Sequence, residues 1–236
     1  DWDMPETIAI SSGDDWKLTG GKTSVKFAHG ADAIIVSAKT NSSGGLSLFL
    51  VTGDAAGITQ HRYQTVDGGS ACDISLEDTP SLLLGVEGGS YEIIDATAAR
   101  CTLALCAEAL GIMDSIKTMT VDYLRTRQQF GTVLGKFQAL QHRMAQMLLE
   151  IEQAKSAVTN AAKDLNAPTD ERNRAISAAK HSIGRIGCYL AEEAIQLHGG
   201  IGMTWEYGLG HFAKRLVMID HEWGDQDHHL MRYAQS

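Results

Sequence analysis

The sequence predicts an α+β protein, with an antiparallel β domain over residues 1–88 and a four-helix-bundle-like all-α domain over residues 89–236. Two observations carry this expectation. The first third of the chain is filled by short runs that alternate or are rich in β-formers, each bounded by Gly, Asp, Asn or Ser. From Tyr91 onward apolar residues recur at helical spacing, and Tyr91 to Asn166 contains no proline and only Gly111, Gly131 and Gly135 among glycines.

The strand-like runs are Thr7 to Ile10, Trp16 to Thr19, Ser24 to Phe27, Ala33 to Ser37 and Leu46 to Thr52. Asp14-Asp15 and Thr19 to Lys22 read as turns. Thr65-Val66 and Ser81 to Val86 continue the style, separated by Asp-Gly-Gly-Ser and Asp-Thr-Pro turn material. In the second part, Ile94, Leu103, Cys106, Leu110, Met113, Ile116, Val121 and Leu124 form one broad stripe, which predicts a helix over about 90–128. A second helix is predicted over about 136–165, ended by Asn166-Ala-Pro168, and a third from Thr169 as N-cap to about His198. Gly199, Gly200 and Gly202 then interrupt the chain before helices at about Glu206 to Asp220 and Gln226 to Tyr233. Long helices joined by short loops predict an antiparallel bundle.

Composition excludes several partner classes. Twenty Lys and Arg stand against 29 Asp and Glu, a formal net charge of -9, so there is no basic footprint for nucleic acid or an anionic lipid surface. No uninterrupted apolar run has the length of a membrane span, and Asp1-Trp-Asp3 lacks the features of a signal peptide, so a cytoplasmic protein is expected. Cys72, Cys101, Cys106 and Cys188 form no Cys-x-x-Cys pair and read as reduced thiols. His221 to His229 carries three histidines among carboxylates, but no spacing matches a closed metal site, and a solvated helix end is the expectation.

Two segments carry candidate chemistry. Tyr123-Leu-Arg-Thr-Arg127-Gln-Gln-Phe130-Gly131-Thr-Val-Leu134-Gly135-Lys-Phe-Gln138 ends one helix, turns over two glycines and starts another. Arg127 there is placed either to hold a phosphate beside a helix start or simply as a solvated cation at a helix C-terminus. Gln196-Leu-His198-Gly199-Gly200-Ile-Gly202-Met203-Thr-Trp205-Glu206-Tyr207 clusters glycines that let a backbone approach a ligand, or that merely turn between helices.

Taken together and in this order, Arg-x-x-Phe-Gly and Gln-x-x-Gly-Gly-x-Gly resemble the flavin-dependent acyl-CoA dehydrogenase family. Trp16-Lys-Leu-Thr-Gly-Gly21-Lys22-Thr-Ser-Val and Ala31-Asp32-Ala-Ile-Ile-Val-Ser-Ala38 resemble its middle β domain, so the resemblance covers essentially the whole chain. It implies a fold whose N-terminal helical domain is missing here, as in a truncated chain, a proteolytic core or an unusual gene product. It implies FAD as cofactor, with Arg127 on the pyrophosphate, Gln129 as a hydrogen-bonding neighbour and Phe130 near the adenine end. Leu134 and Gln138 would line the adenine pocket, and Gln196, Gly199 and Gly200 would contact the cofactor across a homodimer or tetramer.

The implied reaction is α,β-dehydrogenation of an acyl-CoA thioester, in which a carboxylate removes the α-proton and the flavin takes the hydride before passing electrons to an electron-transfer flavoprotein. The carboxylate's usual place, about two dozen residues after the Gly-Gly turn, falls on Trp223-Gly224-Asp225, and a second family location falls near Cys101. Neither offers the expected base, leaving Glu222, one residue away, as the candidate. Ser24 and Lys26 stand where the family usually has flavin-ring contacts. The tail from His221 to His229 is similar to members acting on bulky steroid-like acyl-CoA, which form hetero-oligomers in which one subunit type lacks the base. A non-catalytic assembly subunit and a related flavoprotein oxidase therefore stand beside the dehydrogenase reading.

Overall fold

The computed structural model describes residues 5–12, 15–40 and 45–236; Asp14 of the expected Asp14-Asp15 turn lies outside them. Six strands come first: β1 (Ile8–Ser12), β2 (Asp15–Lys26), β3 (Ala33–Thr40), β4 (Leu46–Thr52), β5 (Ile58–Gln64) and β6 (Ser70–Leu84). Helix α1 (Tyr91–Thr126) leads to a two-residue-strand hairpin, β7 (Gln128–Gln129) and β8 (Thr132–Val133), followed by α2 (Gln138–Lys163), α3 (Thr169–His198), α4 (Leu209–His221) and α5 (Gln226–Gln235). The chain divides into two compact units, Asp1–Ala96 and Thr97–Ser236.

In the first unit the sheet runs β2-β1-β3-β4-β6-β5, and an added β2–β6 pairing closes five of the strands on one another. The sheet is mixed, not purely antiparallel as expected, because β1 pairs β3 in parallel. After the β1–β2 hairpin the chain crosses over and adds β3 to the free side of β1, running the same way. Leu18, Phe49, Ile74 and Leu76, each at most 2% exposed, fill the interior.

Three expectations need correction here. Thr19 to Lys22 is not a turn but part of β2; Gly20 sits at φ 142°, where a Cβ would come within 2.8 Å of the Thr7 Cα. Asp78-Thr79-Pro80 is likewise inside β6, where Asp78 at φ 45° marks an irregularity opposite the Leu18/Gly20 register shift of β2. Thr65-Val66 is not strand but turn, closed by Gly68 N–H donating to the Thr65 carbonyl at 3.0 Å. Strand β5 carries no clean alternation: Ile58–Gln64 pairs only with β6, one face places the polar Gln60 and Arg62 after Ile58, and the partly buried Tyr63 lies on the other.

The helices follow the expected periodicity. In α2 the buried residues Met144, Met147, Ile151, Ala154, Val158 and Ala161 step by three or four; the first five share one core cluster with Met113 and Ile116 of α1, Ile183, Ile186 and Leu190 of α3, and Leu216 and Ile219 of α4, while Ala161 packs in a smaller cluster with Ala99, Ile176 and Ala179. Each of the larger side chains, Met, Ile, Leu or Val, contributes about 2 kcal/mol through burial. Pro168 occupies the position before α3, making Thr169 its first residue and not its cap, while Asp170 and Glu171 complement the helix start. Leu134–Lys136 forms a 3-10 turn, so α2 starts at Gln138, and α4 starts at Leu209. By length and mean composition α1 is apolar enough to cross a membrane, although no uninterrupted apolar run within it has that length. Its Cys106, Ala109, Met113 and Ile116 are instead fully buried in the core of the helical unit.

The carboxylate of Asp225 caps α5, accepting from His228 N–H at 2.8 Å, and that bond holds its pKa below the ordinary value. Replacing Asp225 with alanine is expected to cost about 1 kcal/mol, read as a lower urea midpoint for the helical unit. An unmoved midpoint would show the cap to be idle.

Candidate functional site

The end of α1, the β7–β8 hairpin and the end of α3 enclose an open cleft of about 550 Å³ within the helical unit. Its lining includes Arg127, Gln129, Leu134, Gln196, Gly199 and Gly200, so both sequence segments converge on one place. The hairpin turns through Phe130 at φ 55° and Gly131 at φ 76°, the two left-handed residues that a tight primed turn requires. A phenylalanine there is strained, and its ring stands 90% exposed, edge-on to Phe137 at 6.2 Å. Phe130 therefore projects from the hairpin tip and is not in the cleft lining, and neither is Gln138, exposed at the first position of α2.

The floor is aromatic. His198, 3% exposed, stacks on Tyr123 with centroids 4.5 Å apart and packs against Tyr207 at 5.4 Å. Its Nδ1–H donates to the Ala194 carbonyl at 2.8 Å, and burial pushes its pKa down against the opposing backbone of Ala194 and Met119. Burial first, then Tyr123 and Asp122, pushes the Tyr207 phenol up. Burial thus biases His198 and Tyr207 toward their neutral forms.

The rim differs. Among the described residues, the side chains of Arg127, Gln129 and Gln196 have no hydrogen-bond or ion-pair partner, although all three line the cleft. Gly199, at φ 67°, and Gly200 would each place a Cβ in open space, so the backbone there is accessible to a ligand. One cation, two amides and two bare glycines around an apolar floor are the donors an anionic ligand with a flat ring requires.

A family model described as acyl-CoA dehydrogenase, C-terminal domain, matches residues 92–235, and one described as acyl-CoA dehydrogenase, middle domain, matches residues 1–79. The chain belongs to the acyl-CoA dehydrogenase family. Probable acyl-CoA dehydrogenase YngJ of Bacillus subtilis (strain 168) is 32% identical over 227 residues, covering 91% of this chain and 59% of that protein. A solved variant of the Tcur3481-Tcur3483 steroid ACAD superposes with TM-score 0.88 at 30% identity, covering 99% of this chain and 62% of that one. The ChsE4-ChsE5 complex from Mycobacterium tuberculosis gives TM-score 0.89 at 25% identity, covering 98% and 62%. The chain thus spans about three fifths of the length of these relatives.

For this acyl-CoA dehydrogenase family member, sequence reasoning passed over Tyr123, Leu140, Leu197, His198 and Ile201 as cleft residues. Tyr123 and His198 lie inside the two motif segments, and an aromatic residue and an imidazole flanking glycines were the available signal. Glu222 is not in the cleft lining; it follows α4 and accepts from Arg215 Nη1 at 2.5 Å. Arg215 also grips Glu108 of α1 through two bonds of 2.6 and 2.8 Å, and these hydrogen bonds drive its pKa up. In the β unit, Ser24 and Lys26 are engaged: the Ser24 hydroxyl pairs with Tyr63 at 3.0 Å and Lys26 approaches Asp67 at 3.9 Å.

Proposed function

We propose that this chain is the flavin-binding and assembly portion of an FAD-dependent acyl-CoA dehydrogenase that desaturates an acyl-CoA thioester between its α and β carbons. The observation that carries the reading is the convergence of unpartnered Arg127, Gln129 and Gln196 with bare Gly199 and Gly200 on one cleft. The residues fit a dinucleotide's charged and aromatic parts. Arg127 would hold a phosphate through its guanidinium, Gln129 and Gln196 would donate to ligand oxygens, and Leu134 would give apolar contact. Phe130 and Gln138, outside the cleft, would reach cofactor held against a second copy, as a homodimer or tetramer supplies. Bound FAD supplies a two-electron acceptor for the substrate's hydride. Reoxidation by an electron-transfer flavoprotein belongs to the same proposal.

The second reading, a subunit of a hetero-oligomer that binds flavin but lacks its own base, is favoured by one observation. Glu222, the candidate base, is committed to Arg215. The two relatives whose descriptions pair two components accord with it. Reconstitution with FAD, followed by anaerobic addition of acyl-CoAs of several sizes, separates the readings. Bleaching of the visible flavin band supports a self-sufficient enzyme, bound but unbleached flavin supports the subunit, and no bound flavin removes both. Replacing Arg127 with alanine is expected to weaken FAD binding about tenfold, the loss of one charge-assisted contact. An unchanged dissociation constant would remove Arg127 from the site.

A further inference from the structure

The turn between α4 and α5 holds two consecutive left-handed residues, Trp223 at φ 58° and Gly224 at φ 96°. Position 224 has to be glycine, since a Cβ there would lie 2.5 Å from His228 Cδ2 and 3.1 Å from His229 Nε2. Position 223 has no such excuse: a bulky L-residue disfavours this region, so something outside the turn imposes it. Two buried side chains hydrogen-bond to the carbonyls of the turn. Lys180 of α3, 0% exposed, donates from Nζ to the carbonyls of Asp220 at 2.8 Å and Gly224 at 2.6 Å, one on each side of the turn. His229, 2% exposed, donates from Nε2 to the Trp223 carbonyl at 2.9 Å, and its Nδ1 faces the Ser177 hydroxyl at 3.3 Å.

Among the described residues no carboxylate lies within ion-pair distance of Lys180, so its charge is met chiefly by peptide carbonyls. The charged neighbours beyond that distance are Asp220, Asp225 and Glu222, with the Cys106 thiol on the α1 side. Those facing His229 are Lys180, His228 and Arg232. Burying an ammonium group is unfavourable, and an apolar residue would join two helices at less cost. What an apolar residue cannot do is specify which carbonyls converge.

We propose that Lys180 and His229 are positioning residues that act through the carbonyls of Asp220, Trp223 and Gly224 to set the α4–α5 turn, and so fix where the Glu222 and Trp223 side chains stand. Glu222 is delivered to Arg215, and the Trp223 ring stands 44% exposed. The positioning stands without the proposed activity. Its bearing on catalysis rests on the dehydrogenase reading, in which the resemblance puts the proton-abstracting residue on this turn.

Fluorotryptophan NMR of the whole chain tests it, the Trp223 line being assigned by its loss in Trp223→Phe. Lys180→Met and His229→Leu should each shift or split the Trp223 line, whereas His229→Gln, which keeps a donor for the Trp223 carbonyl, should restore it. Leu190→Ala, a cavity in the same core, should lower stability and leave that line in place. An unmoved Trp223 line in His229→Leu, or an equal displacement in Leu190→Ala, overturns the proposal; the His229 pair decides the matter if Lys180→Met fails to fold. Absence of bound FAD in the wild-type chain would remove the dehydrogenase reading and leave these lines unaffected.

Discussion

Gly184→Ala destabilises the helical unit by about 3 kcal/mol in urea unfolding, against the usual gain from replacing a helical glycine. Gly184 is buried in α3, and a Cβ there would come within 2.0 Å of Asp220 Oδ1 and 3.1 Å of the Gln226 Cβ. The carboxylate cannot step aside freely, because that same Oδ1 accepts from Gln226 N–H at 3.0 Å and Asp220 is 5% exposed. Overpacking costs about 1–3 kcal/mol and loss of a charge-assisted bond about 2 kcal/mol, less about 1 kcal/mol regained from helix propensity. Gly187→Ala, one turn on, is the control. Its Cβ would meet Leu216 and Met113 only at 3.7 Å, ordinary contact, so that variant should be neutral or more stable. Equal behaviour of the two variants would show that the close approach at Gly184 is absent in solution.

Acid lowers stability through His229. Burial, with lesser help from the positive charges of Lys180, His228 and Arg232, depresses its pKa from the ordinary 6.5 to about 4. Above 6.5 the ring is neutral in folded and unfolded chains alike, and its neutral burial contributes fully. Between 6.5 and about 4 the unfolded chain takes up a proton that the native state refuses, so stability falls as pH falls. Once the pH is below the folded value both states bind the proton and the slope vanishes. The shift corresponds to roughly 3 kcal/mol across the window. Urea midpoints at pH 7 and pH 4.5 measure it, with His229→Gln as the comparison. If the variant loses as much stability as the wild type on acidification, His229 is not the group responsible.

Much of the architecture was legible because periodicity is a local property. Of the stripe read in the first helix, Cys106, Met113, Ile116 and Leu124 lie buried, and Leu46–Thr52 reads as a strand and is one. Asp78-Thr79-Pro80 misled for the opposite reason. These residues favour turns in isolation, yet β2 pairs alongside and Lys17 faces Pro80 within the sheet, so a local preference yielded to a non-local ladder. Arg127 and the Gly199-Gly200 pair, singled out by the motifs they complete, do line one cleft. Phe130 lies outside that cleft, because its left-handed turn leaves the ring exposed at the hairpin tip, where only a second copy could bring a ligand to it.

By itself the sequence determined the β-then-helix order, the helical stripes and the two segments whose donors meet at the cleft, all of which depend on spacing along the chain. Only the tertiary structure decided that Lys180 is buried, that His198 lies against Tyr123 and Tyr207, and that Glu222 is held by Arg215. A lysine in a helix reads as solvated unless another element brings carbonyls to it, and here Asp220 and Gly224, 40 and 44 residues away, do so. Whether a charge is buried, a glycine is required or a carboxylate is free is set by what a distant segment places within about 3 Å, the reach of a hydrogen bond.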